Sequence, residues 1–204
     1  MTKIAAVAVA AGLAACSAPW TIRPIGDDSQ SHTQDLAPAA YASSAWQARL
    51  LPAMLKSAVD ARTLLDALRD SVDAAGAKYG HREGQGAVVD ENSTSRVRTI
   101  DVDIAPLDGK ADVALEIGPV LRGTSVRDAT GLVRFTDFST QLQFADVGNA
   151  LNDIVLKSVL NPVATQPMRG RKVEFVASFA AQAPWQPPVR DAIPVQLAVD
   201  GNQP

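Results

Sequence analysis

Two hydrophobic periods divide the chain. Between Pro38 and Tyr79, apolar residues recur every three or four positions: Ala39, Ala42, Ala45, Trp46 and Leu50, then Leu51, Leu55, Ala58, Ala61, Leu65, Leu68, Val72, Ala75 and Tyr79. That spacing predicts amphipathic helix. Lys56, Asp60, Arg62, Asp66, Arg69, Asp70 and Asp73 lie opposite, with Arg62/Asp66 and Arg69/Asp73 placed for i,i+4 pairing. Pro52 breaks or kinks the run, or opens a second helix in its first turn. Gly76, Gly80, Gly84 and Gly86 predict a flexible connection after it, which also holds His81.

Beyond residue 86 the period becomes two. Ile100, Val102 and Ile104 alternate with Thr99, Asp101 and Asp103, and Val113, Leu115 and Ile117 alternate with Asp112 and Glu116. Pro106-Leu107-Asp108-Gly109 between them is turn chemistry, so the two runs read as a hairpin. Leu132 to Phe135 can supply a third strand. Helical spacing returns in Leu142, Ala145, Ala150, Leu151, Ile154, Val155 and Val159, with Ser139 or Thr140 as N-cap and Asn161-Pro162 as stop. Lys172 to Ala180 and Ile193 to Val199 read as two more strands, separated by a loop with Pro184, Pro187 and Pro188.

Three strands, a helix and two strands is the order of a five-stranded OB barrel. The fold class expected is therefore α+β: amphipathic helices over residues 38–80, then an OB-like barrel over 87–204. An open antiparallel sheet with helices on one face is the alternative that the same order allows.

The amino terminus has a different character. Lys3 is followed by an uncharged apolar stretch, Ile4 to Ala15, too short to span a bilayer. It ends in Leu13-Ala14-Ala15-Cys16, which resembles the lipobox of bacterial lipoproteins. The resemblance implies that residues 1–15 are a signal peptide and that Cys16 becomes an acylated first residue, carrying a diacylglycerol and a further chain such as palmitate. At about 0.8 kcal/mol per buried CH₂, such chains make membrane anchoring effectively permanent. Ser17 after the cysteine, rather than Asp, implies the outer membrane, facing the periplasm. Residues 16–37 then form the lipidated cysteine and a polar tether, with His32 in it.

Composition narrows the chemistry. The chain has 204 residues with a single cysteine and two histidines, which excludes multi-ligand Cys/His zinc sites, disulfide frameworks and iron–sulfur clusters. A net charge of −3 and scattered Trp20, Trp46 and Trp185 give no basic, aromatic surface for nucleic acid. Asp101, Asp103 and Asp108-Gly109 fail the calcium-loop pattern, because Ala105 and Asp112 stand where ligands are needed. No Gly-x-Ser-x-Gly and no phosphate-binding loop occurs, so neither a catalytic residue nor a cofactor or metal is assigned; carboxylate-dependent hydrolysis is the remaining enzymatic option. Arg169, Arg171 and Lys172 read as a solvated strand entrance.

The richest cluster is Arg122-Gly123-Thr124-Ser125-Val126-Arg127-Asp128. Its guanidinium forks suit carboxylates, phosphates or sugar hydroxyls, and Gly123 lets backbone N–H groups converge on a ligand. Arg122, Thr124, Arg127 and Asp128 are the candidate ligand-binding residues, with Asp137 and Gln141 joining them if the chain folds back. In the competing assignment, Arg122 or Arg127 pairs with Asp128 or Asp137 and locks the turn.

Ala40-Tyr41-Ala42-Ser43-Ser44-Ala45-Trp46 running to Leu51-Pro52, Ile117-Gly118-Pro119 running to Ala129, and Phe135-Thr136-Asp137-Phe138 with Gln141 together resemble a family of predicted periplasmic lipoproteins of unknown function, often encoded beside sugar ABC transporters. The resemblance implies a periplasmic address and an association with sugar transport, not a reaction. The expected function is a non-enzymatic binding or accessory module, its partner a small polar solute or a transporter component. An envelope assembly factor working through the exposed face of the Leu51 to Tyr79 helix is the alternative.

Overall fold

The computed structural model describes residues 37–70, 79–180 and 188–200; the expectations for the signal peptide, Cys16, His32 and the tether lie outside them. Pro38 opens helix α1 (Pro38–Ala45), which passes through a π turn, Trp46–Leu50, into α2 (Leu51–Ser57). Pro52 falls within the first two positions of α2. The wide turn before it accommodates a residue that has no N–H to give and whose ring crowds the preceding carbonyls. The helical run then stops: Ala58 is extended, Val59–Asp60 form a short strand β1, and a new helix α3 spans Ala61–Asp70. Asp60 causes the restart by accepting the Thr63 N–H at 3.0 Å, an N-cap that the continuous apolar stripe concealed.

Next comes a long strand, β2 (Tyr79–Asn92), followed by β3 (Thr99–Ile104) and β4 (Val113–Glu116). One helical turn, α4 (Ser125–Asp128), and a 3₁₀ turn, Phe135–Asp137, precede α5 (Gln141–Val155), which runs through a π turn to Leu160. Thr140 is its N-cap, accepting the Gln143 N–H at 3.1 Å. Strands β5 (Lys172–Ala180) and β6 (Val189–Val199) finish the described chain.

The length of β2 closes the sheet. Its first part pairs antiparallel with β5, from Tyr79 opposite Ala180 to Ala87 opposite Lys172, and its second part with β3, from Gly86 opposite Ile104 to Asn92 opposite Thr99. β3 pairs with β4, β4 runs parallel to β6, and β6 returns antiparallel to β5. The ring β2-β3-β4-β6-β5 is thus a closed mixed barrel, and the open-sheet alternative is ruled out.

Three expectations are corrected here. Gly80, Gly84 and Gly86 belong not to a flexible connection but to the first barrel strand, which starts at Tyr79 among the described residues; Gly76 lies outside them. Its glycines serve close packing: a Cβ on Gly84 would stand 2.7 Å from Phe175 Cζ, and one on Gly86 would collide with the Asp103 backbone carbonyl. Leu132 to Phe135 is not a strand; only Val133 is buried, and the chain folds into the 3₁₀ turn, where Asp137 accepts the Arg134 N–H at 3.1 Å. Asp103, whose alternation with Val102 and Ile104 predicts a solvent-facing position like that of Asp101, does not face solvent. It is buried and accepts the N–H groups of Asp108 (3.0 Å) and Gly109 (2.6 Å), so it organises the β3–β4 turn.

The amino-terminal helices pack on the barrel. Ala42, Trp46, Leu50, Met54, Leu64 and Leu65 belong to the same buried core as Ile100, Val102, Leu115, Leu151, Phe175 and Ile193, and α1 packs along α5. Arg62 fastens α3 to the barrel through Asp112 (2.9 Å) and the carbonyls of Ile104 and Ala105.

Candidate functional site

The predicted cluster divides into two networks. Arg127 is buried at the end of α4, where Nε and Nη2 grip the Asp128 carboxylate at 2.6 and 3.0 Å and Nη1 donates to the Phe144 carbonyl at 3.0 Å. The guanidinium lies 3.7 Å from the centre of the Phe144 ring, and Thr124 Oγ1 donates to Asp128 at 2.6 Å. Fork geometry, a stacked ring and a fully bonded carboxylate make this a lock between α4 and α5.

Arg122 faces the other way. Its backbone N–H and its Nε both donate to Glu116, at 2.7 and 3.0 Å, and Nη2 pairs with Asp191. Glu116 lies in β4 with its side chain 0% exposed. Burial pushes its carboxyl above the usual range, and the two bonds from Arg122 oppose that rise; the same pairing raises Arg122. Asp191 sits at φ 58°, where β6 carries one extra residue against β4 between Val113 and Leu115. That bulge turns its carboxylate towards Arg122, and aspartate tolerates the left-handed conformation better than most residues. A recess of about 130 Å³ opens beside Arg122, Gly123, Thr124, Ser125, Ala180 and Asp191.

Asp137 and Gln141 join neither network. Asp137 caps its own 3₁₀ turn, and Gln141 is exposed at the start of α5. Glu116 and Asp191 were missed. Glu116 read as a polar position of an alternating strand, whereas all of β4 is buried because the residue 122 turn covers its second face. Nothing local marks Asp191 as the partner of a residue so far back in the chain.

A second polar site is one the sequence reading misplaced. His81 lies in β2, only 2% exposed, directly opposite Ser178 of β5. Its Nδ1 is 3.3 Å from Ser57 Oγ, while its Nε2 and the buried Ser178 hydroxyl have no hydrogen-bond partner among the described residues. Burial first, and the neighbouring Arg82 charge second, lower the imidazole to about 4. Such a ring is neutral in neutral solution and a weak base. The two sites meet where Ser125 Oγ donates to the Ser178 carbonyl at 3.4 Å. Among the described residues no three His, Cys, Asp or Glu side chains are placed to hold a metal ion.

Strand order and the helix between β4 and β5 define the class: an OB-fold protein with a helical amino-terminal segment packed on it. A crystal structure of an OB-fold protein from Thermotoga maritima agrees, with a TM-score of 0.67 and 22% identity over 82% of this chain and 100% of that one, a likeness that speaks for the fold. The family described as predicted periplasmic lipoprotein (DUF2291) matches residues 6–198, and the chain belongs to it. The match includes Cys16 and nearly the whole barrel. A comparison with curated proteins gave no match.

Proposed function

We propose that the protein is a non-enzymatic accessory module, anchored through acyl chains on Cys16 and directed by Ser17 to the periplasmic face of the outer membrane, which acts by contacting a protein of a sugar uptake system. The observation that supports contact over solute capture is the use of both arginines within the chain: Arg127 is closed on Asp128 and Phe144, and Arg122 on Glu116 and Asp191. The recess beside Arg122, at about 130 Å³, is also smaller than the roughly 300–1,000 Å³ of typical ligand pockets.

Crosslinking in intact envelopes tests this reading. It is expected to trap a transporter component, whereas capture of assembly machinery through the α2–α3 surface would replace it with the envelope-factor alternative. Because Arg122 borders an open recess, a small sugar acid is the ligand to try in parallel. A rise in melting temperature with such a compound, abolished by Arg122→Ala, would overturn contact in favour of solute binding.

A further inference from the structure

We propose that the turn and helix start spanning residues 132–144 form a surface that lies against the lipid bilayer. Leu132, Phe135 and Leu142 project from this segment with 40%, 48% and 70% of their surface exposed, which places three large apolar side chains outward within a short stretch. They stand on a firm base. Phe135 and Phe138 pack on Phe144 with ring centres 5.7 and 5.8 Å apart, and the Arg127 guanidinium stacks on Phe144 at 3.7 Å.

The position of α1 identifies the occupant. Tyr41, in its first turn, packs edge-on against Phe138 at 5.0 Å, so the chain enters the folded body beside this patch. Upstream, the sequence leads back to Cys16. Only 21 residues separate Cys16 from Pro38, so the anchor and this end of the body are near neighbours along the chain.

The charges agree with a lipid surface. Asp128 is neutralised by Arg127, and Asp137 is bonded to the Arg134 amide. The side chain of Arg134, next to Phe135, is exposed, and Arg49 reaches over the Tyr41 ring; both can meet lipid phosphates. Asp146, one turn beyond Leu142, marks the acidic limit of the patch. The anchor provides attachment; the patch adds a fixed orientation of the barrel. This inference rests on the acylation of Cys16.

Because acylation consumes the only native thiol, the mature lipoprotein carrying Leu142→Cys offers one site for a maleimide nitroxide. In phosphatidylethanolamine–phosphatidylglycerol vesicles the label is expected about 5–10 Å into the headgroup–acyl boundary, while a label at Leu107→Cys on the β3–β4 turn stays in water. Leu132→Cys gives an independent second reading. Water-like accessibility at both 132 and 142, or equal immersion at 107, overturns the proposal. Shielding that grows with protein concentration in detergent and does not change on adding vesicles makes a second copy the occupant and also overturns it. Labelling of the wild-type protein shows a free Cys16 and overturns the anchor instead.

Discussion

The Arg127 turn and the His81 pocket are both polar and both buried, and they meet at Ser125 and Ser178, yet they are built in opposite ways. Around Arg127 a full charge is taken out of water, and its donors and those of Thr124 converge on acceptors. Around His81 charge is kept out: the imidazole is neutral, one ring nitrogen has a serine for company, and the other has no partner among the described residues. A buried charge holds the fold only while its bonds are complete, because removing one partner strands the other. A buried neutral group constrains the fold weakly but makes it sensitive to acid.

The largest expected effect tests the first half of that contrast. Arg127→Ala leaves the Asp128 carboxylate without its cation and the Phe144 ring without the guanidinium stacked on it, and should cost about 3–5 kcal/mol in urea unfolding. The loss should be the same with and without added sugars; a loss that ligand restores would turn the lock into a binding site.

Acid tests the second half. With the folded imidazole at about 4 against an ordinary 6.5, the unfolded chain takes up a proton that the folded chain refuses. Stability should therefore be highest above pH 6.5, fall as the pH drops towards 4, and lose no more from this group below that. The full contribution is on the order of 3 kcal/mol. His81→Gln should remove that part of the decline in denaturation curves taken between pH 7 and 4.

Arg122→Ala should be milder than Arg127→Ala, about 1.5–3 kcal/mol, because its backbone N–H still serves Glu116 after the guanidinium is gone. Lowering the pH should lessen the defect, since a protonated Glu116 needs no cation. Ser178→Ala should have the smallest effect, under about 1 kcal/mol, since it deletes a buried hydroxyl that makes no bond among the described residues. A larger loss in calorimetry would mean that the His81 pocket is as fully bonded as the Arg127 turn.

What could be read from sequence follows the same division. The hairpin of β3 and β4, the Thr140 cap, α5 and β5 are encoded by neighbours, in alternation, capping chemistry and helical spacing. The Arg127–Asp128–Thr124 lock is likewise local, and the competing assignment for Arg127 foresaw it. The barrel's first strand was hidden because glycine in a strand looks like a loop until its close neighbours, Phe175 and the Asp103 backbone, are known. His81, Glu116 and Asp191 were hidden because each meets partners supplied by distant segments: Ser57 and Ser178, the covering residue 122 turn, and Arg122 itself. Local pattern specified the elements, and closure of the barrel specified their polar contacts.

Closure has one further consequence. An acyl anchor confines a protein to two dimensions, where neighbours collide far more often than they do in free solution. A sheet with an open margin would then offer every neighbour a row of unpaired backbone groups to extend. Because β2 returns to β5, and β1 lies alongside β2 at Arg82 and Glu83, the barrel presents little such margin. The protein can be crowded on a membrane without its strands recruiting one another into aggregates.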